Sequence, residues 1–444
     1  MTLKYQGHNA SGLARGGMMG RAADLLIAGD LDPVAELGGH LSGLGFRTRH
    51  CSLGRVGEEL AAQPYDAVVT LGTLTSEVSH PGVVHVHVGD PGPAKPDAIL
   101  RPPAHPIQIA ARARSLLRLS VIEQVAALRR RDAQLAGAPI QPGKAGKARS
   151  SILYVGAPDP AFMRLQHALS GTGAEVIAAF STFNAFDYLH ERAFDAVVLN
   201  THPDPDLAHT VCSAMRRNTR LYHTPALLLT RSEVYGSADE AFARGASDIL
   251  PAKAQGPELR ARVMALATER QRRRAAKAQL EACRQPALLD EGSDLFVAEF
   301  GRAHLGSLVQ ASADHGSRLC LVALSVATPP AAGDPDGATA LHALDQFASM
   351  LRHCVRAEDL AVRLDASRFY LALPSTPAEE AANVASRVAA IAECTAYEGV
   401  DPLSPFRVEV RHAVEEWRAG ESADALHERA FAQLDTGRLR LVAS

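Results

Sequence analysis

The sequence predicts an α/β protein of several domains: two modules on parallel sheets, followed by one on a mixed, largely antiparallel sheet. Three observations carry that expectation. At 444 residues the chain is too long for a single core and suits about three domains. Short apolar runs alternate with helical patterns through its first half, the signature of βα units and so of parallel strands covered by helices. That alternation occurs twice, as an internal repeat of domain size, and then gives way to a different pattern.

Residues 1–20 are polar and glycine-rich, with neither the apolar core of a signal peptide nor the length to span a bilayer, and are expected to form a flexible tail. The first module, residues 21–136, has its apolar runs at 25–28, 34–44, 67–71, 83–88 and 98–100. A linker follows at 137–149, where GAPIQPGKAGK is too rich in Gly, Pro and Lys to pack. The second module, residues 150–268, has strands at 152–155, 196–199, 226–229 and 248–250 and a helix at 162–169. Asp32-Pro33 matches Asp159-Pro160, and Tyr65-Asp66-Ala67-Val68-Val69 matches Phe194-Asp195-Ala196-Val197-Val198.

One long helix is expected over 258–284, with Leu259, Val263, Leu266 and Leu280 on its apolar face, so that residues 269–286 form a linker helix. Its Arg272-Arg273-Arg274 run reads either as a solvated face or as a signalling stalk that pairs across a dimer. In the third module, residues 287–444, strands are expected at 319–326, 369–373 and 406–410 and helices at 341–355 and 378–391. The proline-rich 328–337 should be a loop.

Lys and Arg total 46 against 49 Asp and Glu, so no global charge draws the chain to nucleic acid or an anionic membrane, and any anion must be held locally. The six cysteines, Cys51, Cys212, Cys283, Cys320, Cys354 and Cys394, form no CxxC pair, which argues against zinc and against a disulfide framework. A reducing compartment fits. His85 and His87 share one strand face, where two histidines without a third ligand point to packing or solvent exposure more than to metal.

The paired motifs make both copies resemble response-regulator receiver domains, which implies flavodoxin-like (CheY-like) parallel sheets. It also implies a phosphoaccepting aspartate after the third strand, with an acidic pair, a Thr or Ser and a Lys around it. In the second copy Asn200 stands at the acceptor position, Gly156 and Ala157 replace the acidic pair, Ala252 replaces the Lys, and Thr230 is kept. In the first, Leu71 stands at the acceptor position, Asp30 remains beside Gly29, and Arg101-Pro102 replaces Lys-Pro. Asp30 and Asp32 are solvated turn residues or remnants of a metal site, and Asp66 precedes its strand. The resemblance therefore implies interaction modules without a phosphoacceptor.

Residues 287–444 resemble the GGDEF family, diguanylate cyclases that condense two GTP into cyclic di-GMP. Arg356, Asp359 and Arg363 fall in the register of the family's inhibitory-site RxxD and the Arg before its signature, and Asp365, Ala366, Ser367, Arg368 and Phe369 stand at the signature itself. A side chain at the turn crowds phosphate where glycine would not. The resemblance puts Ser325 and Ser367 at metal-ligand positions, Arg368 at the neighbouring Glu and Leu434 at a phosphate-binding Lys. It keeps Gly437-Arg438 and shows no entry motif over 290–296. It thus implies no catalytic residues, no metal and no cofactor.

The RxxD pair can still read a guanine, because a guanidinium pairs bidentately with O6 and N7 and a carboxylate accepts from N1 and N2. Three residues apart on a helix end, Arg356 and Asp359 would face one side, with Arg387 at the family's next Arg position and Arg352, His353 and Arg363 as accessory candidates. The pair also fits an ordinary ion pair. The domain order is that of PleD-type regulators and implies a non-catalytic cyclic di-GMP effector. It would be cytoplasmic, recruited to a cell pole, and dimeric, with adaptor and polar-localisation proteins as partners and neither nucleic acid nor membrane insertion. A ligand-independent scaffold and a weak cyclase or GTP-binding pseudoenzyme are the alternatives.

Overall fold

The computed structural model describes residues 22–436, apart from 75–77, 79, 81, 103, 141–148, 232–237, 330–336 and 399–404. The expected tail, most of the first linker, most of the proline-rich loop and Gly437-Arg438 lie outside the described residues. The chain groups into two compact units: residues 22–120 with 149–275, and residues 121–140 with 276–436. One limit of this grouping falls at 120, within α3, and the two parallel-sheet modules count as one unit.

In the first unit β1 (Asp24–Ala28), α1 (Leu31–Gly43), β2 (Arg47–Cys51), α2 (Val56–Ala62), β3 (Ala67–Thr73), β4 (Val84–Asp90) and β5 (Ala98–Leu100) lead into α3 (Pro106–Leu135). The strands lie in the order β2-β1-β3-β4-β5, all parallel. The second sheet is built from β6 (Ser151–Val155), α4 (Pro160–Leu169), β7 (Glu175–Ala179), α5 (Thr182–Glu191), β8 (Ala196–Asn200), α6 (Pro205–Arg217), β9 (Ala226–Thr230), α7 (Ala238–Ala243) and β10 (Asp248–Pro251), followed by α8 (Gly256–Ala282). Its order, β10-β9-β8-β6-β7, is the same flavodoxin-like arrangement read from the other side.

The repeat extends to hydrogen bonds. Asp66 accepts from the amide of Asp24 at the start of β1 (2.7 Å), and Asp195 accepts from that of Ser151 at the start of β6 (3.0 Å). Each second strand, β2 and β7, lies at a sheet edge and is absent from the sequence-based expectation; β2 reads RTRHC and is largely exposed, while β7 reads EVIAA, a short apolar run that is half-buried.

The two copies share buried polar contacts. Arg112 on α3 pairs with Glu269 on α8 (2.8 Å), Ser115 donates to the same carboxylate, and Asp248 takes both Gln108 and Arg262 (each 2.7 Å). The arginine run on α8 is not simply a solvated face: Arg273 is buried and points to the Ser115 carbonyl, Arg274 pairs with Asp195, and Arg272 with Asp97.

In the second unit β11 (Phe296–Val297), α9 (Ala298–His315), β12 (Leu319–Ala327), α10 (Ala338–Cys354), β13 (Leu360–Arg363), β14 (Arg368–Pro374), α11 (Ala378–Cys394), β15 (Glu409–Glu416) and α12 (Ala423–Asp435) form a mixed sheet in the order β11-β13-β14-β12-β15. Only the β11–β13 pair is parallel. The interior strand β12 is buried on both faces: Leu319, Leu321 and Ala323 enter the core under α9 and α12, while Cys320, Val322 and Leu324 enter the core under α10 and α11. Ile122, Val125, Ala126 and Ala133 of α3 complete the first of these cores. The strand expected at 406–410 begins instead at Glu409, where Val410 and Ala413 point inward, and Phe406 forms an isolated bridge with Tyr397.

Candidate functional site

Helix α10 ends at Cys354, where Val355 turns extended (φ −111°), so Arg356 to Asp359 form a turn before β13 and not the helix end expected of them. The turn is closed by its own termini: the Asp359 amide donates to the Arg356 carbonyl (3.2 Å), and the Asp359 carboxylate accepts from the Arg356 amide (2.7 Å). Asp359 consequently points inward. It is 7% exposed, and its second carboxylate oxygen is buried without a partner. Burial, reinforced by neighbouring Glu358 and opposed by Arg356 and Arg129, raises its carboxyl to about 7.

Beneath the turn lies Arg129 of α3, which sequence reading missed. It donates to three consecutive carbonyls, those of Ala357 (3.0 Å), Glu358 (2.7 Å) and Asp359 (3.1 Å). It also lies over the Phe296 ring, and its Nε reaches His304 Nε2 (3.4 Å), whose Nδ1 is bonded to Asp132 (2.7 Å). Burial pulls Arg129 down to about 10 and His304 to about 4, so the imidazole is neutral and accepts from Arg129 while donating to Asp132.

On the outer side the Arg356 side chain is 43% exposed and approaches Glu380 on α11 (3.7 Å). Two turns along the same helix, exposed Arg387 donates to the Cys354 carbonyl at the end of α10 (3.0 Å). The structure thus gathers Arg356 and Arg387 at one turn and withdraws Asp359 from it. Of the accessory candidates, His353 is exposed, Arg352 is held by Asp294 (2.7 Å) and Glu281 (3.1 Å), and Arg363 is a brace. The Arg363 guanidinium joins Asp345 (2.6 Å) and Asp290 (3.0 Å), sits over Phe369 and reaches the Asp365 carbonyl.

The hairpin between β13 and β14 keeps its shape without glycine. Asp365 Oδ1 accepts from the amides of Ser367 and Arg368 (each 2.9 Å), and Arg368 Nε returns to Oδ2 (2.6 Å). Partial burial works against the charge on Asp365, but these donors hold its carboxyl below the usual range. Residues 364–368, Ala366 included, need no positive φ. Ser325 lies opposite Arg368 and Arg411 in the sheet, and the Ser367 carbonyl accepts from the Val326 amide. Leu434 is buried in the core. Among the described residues no three His, Cys, Asp or Glu side chains are grouped to hold a metal ion.

In the first unit Asn200 is 1% exposed and fully engaged: its amide donates to Tyr154 Oη and Asp159 (each 3.0 Å), and its oxygen accepts from the His202 amide. Gly156 (φ +153°) makes room for it, since a Cβ there would stand 2.7 Å from that of Asn200. Thr230 bonds the Arg231 carbonyl, and Arg164 reaches that of Ala252. Leu71 sits against Gly29 in the first copy, the same juxtaposition. His85 and His87 are buried and share the Thr70 hydroxyl (2.8 Å each), and burial lowers His85 to about 4; these contacts are packing.

Fold and geometry together define the second unit as a mixed-sheet α/β domain with a turn at one end of β13 and a hairpin at the other. Residues 338–432 match the family model described as diguanylate cyclase, GGDEF domain. No curated protein matches the chain by sequence. Similar solved structures include the GGDEF domain of DgcB from Caulobacter crescentus in complex with c-di-GMP (16% identity, 34% of this chain and 90% of that one, TM-score 0.30). The FimX GGDEF domain from Pseudomonas aeruginosa gives 16% identity over 34% and 92% (TM-score 0.31). The diguanylate cyclase SiaD in complex with its activator SiaC, also from Pseudomonas aeruginosa, gives 22% over 40% and 70% (TM-score 0.31). Among the described residues no helix is long and apolar enough to cross a membrane.

Proposed function

We propose that the chain is a non-catalytic cyclic di-GMP effector whose ligand is taken by Arg356 and Arg387 at the α10–β13 turn. The observation that carries this is the pair of exposed guanidiniums at the α10–β13 turn, Arg356 on the turn itself and Arg387 at the Cys354 carbonyl that precedes it, while the hairpin at the other end of β13 has its carboxylate committed to its own backbone. Each guanidinium can pair with a guanine edge or a phosphate. Asp359 shapes the turn from inside and is not itself a ligand contact. With Ser325 and Ser367 in place of acidic ligands, two-metal phosphoryl transfer lacks its carboxylates.

The flavodoxin-like modules are read as two receiver domains, 21–136 and 150–268, that have lost their acceptors and serve as interaction surfaces. With the domain at 287–444, that order and those losses look most like PopA. The resemblance extends to a cytoplasmic dimer at a cell pole that recruits an adaptor and delivers a cell-cycle regulator for proteolysis.

A second reading, a scaffold independent of ligand, is favoured by the Asp359–Arg356 backbone contact, which makes the RxxD self-contained. Calorimetric titration with cyclic di-GMP separates the two. Wild type binds and Arg356→Ala loses at least about tenfold in affinity, with no change in melting temperature; absence of binding, or equal binding by the variant, overturns the effector reading. Incubation with GTP and Mg2+ is expected to yield no cyclic di-GMP, and product formation would overturn the non-catalytic reading.

A further inference from the structure

We infer that Arg129, on a helix far from the motif in sequence, is the positioning residue of this ligand site. The inference rests on the effector reading above. A fully buried guanidinium with three backbone carbonyls as acceptors is costly unless each bond is made, and here all three acceptors belong to the one turn that carries Arg356. Drawing in the carbonyls of Ala357, Glu358 and Asp359 fixes the peptide planes of the turn. That fixes where the Arg356 side chain leaves the surface relative to Arg387. Arg129 is itself held: Phe296 lies against its face, and His304, anchored by Asp132, takes its Nε. A planar fork meets three carbonyls at once; a lysine ammonium is a point donor and does not span them.

The charged and titratable groups around this arrangement are Arg356 and Glu358 of the turn, Arg129 and Asp132 of α3, His304 of α9, and Cys283 and Arg284 after α8. Arg129 is one of the two cations that favour the ionised form of Asp359. Its removal therefore harms the turn most where Asp359 is ionised.

The test uses the full chain and calorimetric titration with cyclic di-GMP for wild type, Arg129→Gln and Arg129→Lys, with melting temperatures recorded for each. Arg129→Gln is expected to bind at least about tenfold more weakly, and Arg129→Lys several-fold more weakly. The defect of Arg129→Gln is expected to be larger at about pH 8 than at about pH 6, a dependence that loss of packing alone does not produce. If the Gln variant fails to fold, the Lys variant decides. Wild-type binding with Lys-variant affinity within about twofold of it, or a defect equal at both pH values, overturns the inference alone. No binding by wild type overturns the effector reading and the inference with it.

Discussion

Replacing Asp359 by Asn should stabilise the protein at neutral and alkaline pH, although it removes a charge from a turn that is hydrogen-bonded. The carboxyl sits at about 7 in the folded state against an ordinary 3.8, with burial as the principal cause. A raised value means that the folded state disfavours the ionised form. The neutral form's advantage is fully present below the unfolded value and is lost as pH rises through about 7. The cost of ionisation approaches about 4 kcal/mol above that point. Asn keeps an oxygen for the Arg356 amide, now bonded at 2.7 Å, and is neutral at every pH. Its amide group still has to be accommodated where the carboxylate oxygen has no partner, so a gain of about 1–3 kcal/mol at pH 8 is expected, shrinking towards zero near pH 4. Urea unfolding of both proteins at intervals from pH 5 to 8.5 measures it. An Asn variant less stable than wild type at pH 8, or a difference that does not change with pH, would refute the reasoning.

Two further outcomes follow from the first unit. Glu269→Ala leaves Arg112 buried and unpaired and should cost about 3–5 kcal/mol in urea unfolding at pH 7. Because Arg112 and Ser115 hold Glu269 low despite its burial, its own contribution is present above the unfolded value and is lost only as pH falls through the folded one. Asn200→Asp should not restore phosphorylation by acetyl phosphate with Mg2+. The new carboxylate would stand without the acidic pair that holds Mg2+, replaced by Gly156 and Ala157, and without the Lys, replaced by Ala252, that steadies the phosphoryl oxygens. A phosphoryl increment on residue 200 in intact-mass spectra would contradict this.

The parts of the fold legible in the sequence are those where burial on both faces writes a continuous apolar run, as in β1, β3, β6, β8 and β12. The edge strand β2 is not, because RTRHC carries no such run, whereas β7 (EVIAA) does carry a short one of which only Ala179 is fully buried. Of the proposed site, Arg356 and Arg387 are the residues that spacing singles out. The inward turn of Asp359 is not legible from spacing, although its signal is present: an Asp just past a helix end readily bonds a nearby backbone amide. Arg129 carries no signal at all. Its partners lie about 230 residues away along the chain, and in the sequence it is one basic residue among several on an amphipathic helix.

Helix α3 also decides how the protein can be cut. The stretch 149–275 is interposed between two pieces of chain that build one core, so an excised fragment beginning at 287 would carry the Arg356–Asp359 turn but not Ile122, Val125, Ala126 or Ala133. Such a fragment would expose an apolar trough and leave the carbonyls at 357–359 without their guanidinium. Gene-level modularity and physical autonomy are different properties in this molecule, and dissection by domain boundaries would read the loss of a helix as the loss of a function.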